Sequence, residues 1–211
     1  MCCETQVKRR DGSFVSAVSR AAVKSRRGKS DYRRDCMKGL IHIYTGDGKG
    51  KTTAAVGLGV RACGQGLKVL MVQFLKAMPT GEVNALKALE PDFSICRGTS
   101  LKKFTFEMND EEKSITAAEQ QDMLDYAASE AAKGKWDMII LDEAFGAVSS
   151  DMLSKVSLIK FIERKPNNIE LVLTGRNAPA EIVAAADYVS VIKAVKHPSD
   201  KGTAARKGIE F

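Results

Sequence analysis

Gly39-Leu-Ile-His-Ile-Tyr-Thr-Gly-Asp-Gly-Lys-Gly-Lys-Thr-Thr-Ala-Ala55 sets an apolar strand, a glycine-rich turn and a run of small helix formers in that order. Glycines at 46, 48 and 50 let successive backbone N–H groups curl around anionic oxygens without Cβ clashes. The helix that follows aims its positive end at the same oxygens. Lys51 adds a point charge, the Thr52 hydroxyl is placed to ligate Mg²⁺, and the segment reads as a cradle for a nucleoside triphosphate. The strict pattern Gly-x4-Gly-Lys-[Ser/Thr] asks for glycine at position 45, where this chain has Thr45. Gly46 and Gly48 must then make the tight turn, so the loop is a variant.

Outward from this loop, the pattern from Leu40 onward alternates strand and helix, which is the signature of a parallel sheet covered by helices. The expected strands are Leu40–Tyr44, Lys68–Phe74, Phe93–Cys96, Asp137–Leu141, Glu170–Leu173 and Tyr188–Ile192. Apart from the short one around Phe93–Cys96, these strands have runs of Val, Ile, Leu and Met without alternation, as suits strands buried on both faces. A first helix is expected over about 51–63, stopped by Gly64 and Gly66. A long one starts at Asp110-Glu111-Glu112, with Ile115, Ala118, Leu124, Ala127 and Ala131 as its apolar face and Gly134 at its end. A third covers about 152–165, with Met152, Val156, Ile159 and Ile162 on one side and Pro166 after it. The fold class is α/β, a mostly parallel sheet with helices on both faces in a P-loop, RecA-like architecture.

The 211 residues suit one such domain, 39–211, preceded by a basic arm over residues 1–38. The net charge of +7 is local: residues 1–38 carry eleven Lys/Arg against four Asp/Glu, so the other 173 residues balance to zero. A nucleic-acid surface on the domain is therefore not expected. Phe14, Val18 and Ala21, flanked by Val15 and Ala22, recur at helical spacing, so the arm reads as a short helix or a partly disordered segment. A transit peptide fits less well, because Glu4, Asp11, Asp31 and Asp35 interrupt the basic run. No apolar run approaches the roughly 20 residues that span a bilayer, so no membrane partner is expected. The five cysteines (Cys2, Cys3, Cys36, Cys63, Cys96) form no C-x-x-C pair, which argues against a disulfide framework or a zinc site and for a cytoplasmic location.

Met138-Ile-Ile-Leu-Asp-Glu143 is an apolar strand ending in two acids. P-loop proteins place a carboxylate beside Mg²⁺ in this way, so Asp142 and Glu143 are candidate metal contacts. Thr174-Gly-Arg176 ends another strand at the same sheet edge. Arg176 there either clamps phosphate or ribose oxygens or pairs with Asp142 or Glu143. His42 reads as a packed histidine within its strand, and His197 lies in a Gly/Lys-rich tail. Lys102-Lys-Phe104-Thr-Phe106-Glu107 sets two aromatics on a loop, where they either meet a flat apolar partner or tuck into the core.

Together these segments resemble the P-loop type of ATP:corrinoid adenosyltransferases. Thr45–Ala55 is similar to that family's own loop, in which threonine also precedes the glycines. Val72-Gln-Phe-Leu-Lys76, Leu141-Asp-Glu143, Thr174-Gly-Arg176, and the tail from Val195 to Phe211 resemble family segments in the same order. The resemblance implies transfer of the 5′-deoxyadenosyl group of ATP to the Co(I) of a reduced corrinoid, with triphosphate leaving. It implies that Gly46, Asp47, Gly48, Lys49, Gly50, Lys51, Thr52 and Thr53 hold the triphosphate, joined by Arg176. It gives Lys51 a catalytic role, Mg²⁺ to Thr52 and to Glu143 as the main acidic contact with Asp142 beside it, and the corrin face to Phe104 and Phe106. Phe106 stands where the family motif has tryptophan, which keeps a flat wedge but removes the indole N–H. A homodimer and a flavoprotein reductant are also implied. The competing readings are a generic P-loop ATPase or nucleotide kinase, and a corrinoid- or nucleotide-binding sensor without turnover.

Overall fold

The computed structural model describes residues 38–76, 80–99 and 105–210, together with the backbone of two short strands near the N-terminus. Those strands, β1 (Thr5–Lys8) and β2 (Phe14–Ala17), pair antiparallel with Val7 opposite Val15. Helical spacing had placed Phe14 and Val15 on a helix, so this segment corrects that expectation. Phe14-Val-Ser-Ala17 also fits a period of two, and Asp11-Gly12 before it is a hairpin signal that the helical count overlooks. Val18, Ala21 and Ala22 lie outside the described residues. Contacts divide the chain into units 1–37 and 38–211.

The second unit is built on six strands: β3 (Ile41–Thr45), β4 (Val69–Gln73), β5 (Phe93–Arg97), β6 (Met138–Asp142), β7 (Glu170–Thr174) and β8 (Tyr188–Val191). They form one sheet in the order β5-β4-β6-β7-β3-β8, and every neighbouring pair is parallel. The helices are α1 (Lys51–Gly64), α2 (Gly81–Leu86), α3 (Asp110–Ala132), α4 (Ala144–Ser149), α5 (Lys155–Arg164) and α6 (Ala180–Ala185).

Alternate residues of the central strands feed two separate cores, because successive side chains of a strand point to opposite faces. Val69, Met71, Met138, Ile140 and Val172 pack with Ala55 and Ala62 of α1 and Leu86 of α2. Leu70, Val72, Ile139, Leu141, Leu171 and Leu173 pack on the other face with α3, α4, α5 and Ile182 of α6. All five residues of β4 and of β6 are buried, as the unbroken apolar runs imply. Strand β8 departs from that expectation. Its four residues are all exposed, because it lies at the end of the sheet with β3 as its one strand neighbour.

Two helix faces also differ from the spacing. On α3 the buried positions are Thr116, Gln120, Met123, Leu124, Ala127, Glu130 and Ala131, while Ile115 is 55% exposed and Ala118 is also exposed. Polar side chains sit on that face because they have partners there. Gln120 Oε1 accepts the Leu75 N–H at 3.0 Å, and Glu130 accepts the Trp136 indole N–H at 2.7 Å. The start of α3 is set as expected, by a reciprocal cap in which Asn109 and Glu112 each bond the other's backbone N–H. The helix expected over about 152–165 begins later, at Lys155. It buries Leu158, Phe161 and Ile162 and leaves Val156 exposed.

Candidate active site

Thr45 explains the variant loop. It is the last residue of β3, so it is extended and does not need glycine's freedom. The turn falls to Gly46 at φ +101°, where an added Cβ would lie 2.4 Å from the Ile192 carbonyl oxygen. Gly48 is pressed as closely against the same segment: its N–H donates to Ile192 O at 2.8 Å, and a Cβ there would meet the Lys193 backbone at 2.8 Å. The end of β8 thus braces the loop, which accounts for two of its glycines without reference to any ligand.

Gly50, at φ +119°, precedes α1 and provides no side-chain cap. The first N–H groups of α1 lack a side-chain capping bond, and a helix start of this kind favours an anion. Lys51 arches back over the loop, donating from Nζ to Gly46 O at 2.7 Å and to Gly48 O at 2.8 Å. Burial lowers the Lys51 pKa and Arg176 adds to that effect, while Glu143, Asp47 and Asp142 oppose it. An anion in the loop would raise it again.

Asp142 ends β6 and is fully buried. Its Oδ1 accepts from the Thr52 hydroxyl at 2.8 Å and the Thr174 hydroxyl at 2.7 Å. Its Oδ2 accepts from Gln73 Nε2 at 3.2 Å and lies 3.7 Å from Lys76 Nζ. Strand β7 separates β6 from β3, so Thr174 spans that gap: it donates to Asp142 while accepting the Glu143 N–H at 2.9 Å. Glu143 itself sits at φ 58°, in the left-handed region, which turns the chain from β6 into α4. Its carboxyl pKa is raised, first by burial and then by Asp142, against the pull of Lys76, Lys51 and Arg176.

A cleft of about 940 Å³ opens at the carboxyl ends of the strands, with Asp142 buried behind its lining. Asp47 to Thr53 form one wall, and Glu143 and Arg176 lie beside them. Lys76, Thr80 and Glu82 belong to the lining as well. Thr105 also reaches the cleft. It opens the short 3-10 turn Thr105–Glu107, which brings the backbone of the aromatic loop to the site. Phe104 and the side chain of Phe106 lie outside the described residues. His197, Gly208, Ile209 and Glu210 of the tail complete the lining.

The sequence therefore pointed to residues that the fold brings together: the loop, Asp142, Glu143 and Arg176. It missed the partners of Asp142. Gln73 and Lys76 lie in a resembling segment that spacing gives no task, and Thr174 reads from sequence only as the end of a strand. Their link to Asp142 crosses between strands and leaves no mark in local spacing. His42, in contrast, lies away from the cleft lining. It is stacked on Tyr188 with centroids 4.5 Å apart and pairs with Glu170.

The chain that carries this site is similar to known proteins. The sequence pattern described as "ATP:corrinoid adenosyltransferase BtuR/CobO/CobP" matches residues 37–211. The Escherichia coli (strain K12) corrinoid adenosyltransferase is 34% identical over 175 residues, spanning 82% of this chain and 86% of that protein. A Sinorhizobium corrinoid adenosyltransferase is 34% identical over 203 residues, or 92% and 91% of the two chains. The Salmonella typhimurium corrinoid adenosyltransferase CobA is 34% identical over 175 residues, with 82% and 86% covered. Matching along the whole of the loop-bearing unit, from Met37 to the last residue, this chain belongs to the ATP:corrinoid adenosyltransferase family.

Proposed function

We propose that the cleft holds ATP by its triphosphate and presents the ribose 5′ carbon to the Co(I) of a reduced corrinoid. The cobalt electron pair forms a Co–C bond as the C5′–O bond breaks, and the triphosphate leaves with the bonding electrons. No protein nucleophile is required by this chemistry. The protein's part is to position the two reactants and to stabilise charge on the leaving group. One observation carries this reading: a side-chain-uncapped helix start and Lys51 converge on one loop, with Thr52, Asp142 and Glu143 beside it.

Lys51, Lys49 and the N–H groups from Gly46 to Thr53 bind the triphosphate, and Arg176 contributes from the adjoining strand end. The oxygen set of Thr52, Asp142 and Glu143 suits Mg²⁺, a hard cation that takes one or two carboxylates along with phosphate oxygens and water. When bound, Mg²⁺ supplies neutralisation of the leaving triphosphate. Thr52, joined to Asp142 at 2.8 Å, and Glu143 line the cleft and would hold it, with Asp142 behind them. Phe104 and Phe106 pack on the corrin face and displace its lower axial ligand, which eases reduction of Co(II).

A flavoprotein supplies the electron, and the enzyme works as a homodimer in the cytoplasm. One observation is compatible with that compartment. Cys63 and Cys96 are free thiols, and burial pushes Cys63 up to about 11, so it is a poor nucleophile. Among the described residues, no helix is long and apolar enough to cross a membrane.

Anaerobic incubation with cob(I)alamin, ATP and Mg²⁺ tests the reading. The expected products are adenosylcobalamin, seen by absorbance, and inorganic triphosphate in equal amount. Release of diphosphate or phosphate with no Co–C bond would instead support a kinase or ATPase. Phe104→Ala is expected to bind ATP as the unaltered protein does, yet lose reduction of Co(II) while still using pre-reduced cob(I)alamin. Equal loss of ATP binding and reduction would place Phe104 in the core.

A further inference from the structure

The described end of the chain, up to Glu210, returns to the triphosphate loop along an exposed path. Residues 198–209 are all exposed, including Ile209 at 56%. Their order comes from polar bonds within the tail. His197 caps the short 3-10 turn Pro198–Lys201, Gly202 ends it at φ 74°, and Glu210 N–H donates to Arg206 O at 2.9 Å. Glu210 then gathers cations from two directions. Its Oε1 accepts from Arg206 Nη2 at 3.1 Å and from Lys49 Nζ of the loop at 3.1 Å. Its Oε2 accepts from the Arg206 backbone N–H at 2.8 Å and from Nε at 3.3 Å. These Arg206 bonds, with Lys49 behind them, hold the Glu210 carboxyl at about 2, so it is charged at any pH at which the enzyme is assayed.

A carboxylate therefore rests on a lysine of the phosphate cradle, inside the cleft that takes the polyanion. Both anions compete for one ammonium group. The triphosphate brings several charges and the loop N–H groups, while Glu210 brings one charge on an exposed segment. An exposed pair of this kind is weak and screened by water, so it yields to the stronger anion. Once Lys49 turns to phosphate, Glu210 is left beside a polyanion of its own sign, in a cleft that also contains Asp47 and Glu143.

We propose that Glu210 is an internal stand-in for phosphate, a positioning residue that holds Lys49 and the tail at the loop and surrenders Lys49 when triphosphate binds. The tail is released by the bound polyanion and returns as triphosphate departs, which favours product release. This rests on the reading of the loop as the triphosphate grip.

Inorganic tripolyphosphate with Mg²⁺ is the probe, measured by calorimetry and by trypsin cleavage after Lys201, Arg206 and Lys207 followed by mass spectrometry. Glu210→Gln is expected to bind tripolyphosphate about two- to five-fold more tightly than the unaltered protein, the range set by loss of one exposed ion-pair competitor. In the unaltered protein, tripolyphosphate is expected to speed cleavage of the tail. In Glu210→Gln, cleavage is fast with or without it. A merely structural Glu210 moves affinity the other way, so equal or weaker binding by Glu210→Gln overturns the proposal, as does protection of the tail by tripolyphosphate. Lys51→Ala separates the two readings. If it binds tripolyphosphate like the unaltered protein, the grip itself is misread. If it loses binding while the Glu210 responses above are absent, only the role of Glu210 falls.

Discussion

Lys51→Ala is expected to lower kcat/KM for adenosyl transfer by about 10²–10³-fold, with most of the loss in kcat. The side chain sits over the loop with Nζ on two carbonyl oxygens, so its charge is already in place before substrate arrives. Breaking the C5′–O bond builds negative charge on the triphosphate, and a fixed cation gains most at that moment. Binding also suffers, because an ammonium–phosphate bond contributes more than a neutral one. The fold should be little affected, since the two carbonyl groups can turn to water at the cleft. Anaerobic steady-state kinetics at saturating corrinoid, beside a thermal melt, check this. A rise in KM with kcat unchanged would show that Lys51 only collects ATP and takes no share in departure of the leaving group.

Asp142→Ala is expected to damage both stability and activity, and Asp142→Asn to separate them. Alanine leaves two threonine hydroxyls, the Gln73 amide and Lys76 without their shared acceptor in a fully buried place. Removing one member of such a buried set costs about 3–5 kcal/mol, which at this chain length lowers Tm by about 6–20 °C. Asparagine keeps the volume and one oxygen. The hydroxyls of Thr52 and Thr174 can still donate to it, so the stability loss should stay under about 2 kcal/mol. The missing charge should nonetheless abolish the tightening of ATP binding by Mg²⁺. Calorimetric titration of ATP with and without Mg²⁺, alongside thermal melts of both variants, reads the two effects apart. If Asp142→Asn keeps the full Mg²⁺ dependence, Glu143 carries the metal and Asp142 only braces the strand ends.

The legible parts of this protein were those whose signal is local. Five strands appear where continuous apolar runs predicted them and the short one at Phe93 joins them, with ends shifted by a residue or so. The start of α3 could be read from the acidic run Asp110-Glu111-Glu112 in its first turn. Faces were harder. Ile115 and Val156 looked like core residues by spacing but are exposed, while Gln120 and Thr116 are buried. Burial of a polar group depends on a partner, and the partner of Gln120 is the backbone of Leu75, 45 residues away. The leader misled for a related reason: Phe14 and Val15 satisfy helical and strand periods alike over so short a span, and pairing with β1 decides between them.

By itself the sequence determined the loop, the acidic strand end, the alternation that makes a parallel sheet, and a resemblance that the family match bears out. These follow from residue types at short spacing, where sterics and hydrogen-bond geometry act within a few residues. Tertiary structure alone decided that β7 lies between the two site strands, so that Thr174 must bridge them to Asp142. It also decided that Ile192 shapes the glycine turn from the neighbouring edge, and that Glu210 reaches Lys49 across 161 positions of chain. Strand order and the return of a tail are settled by packing summed over the whole sheet, and no short stretch of sequence contains that sum.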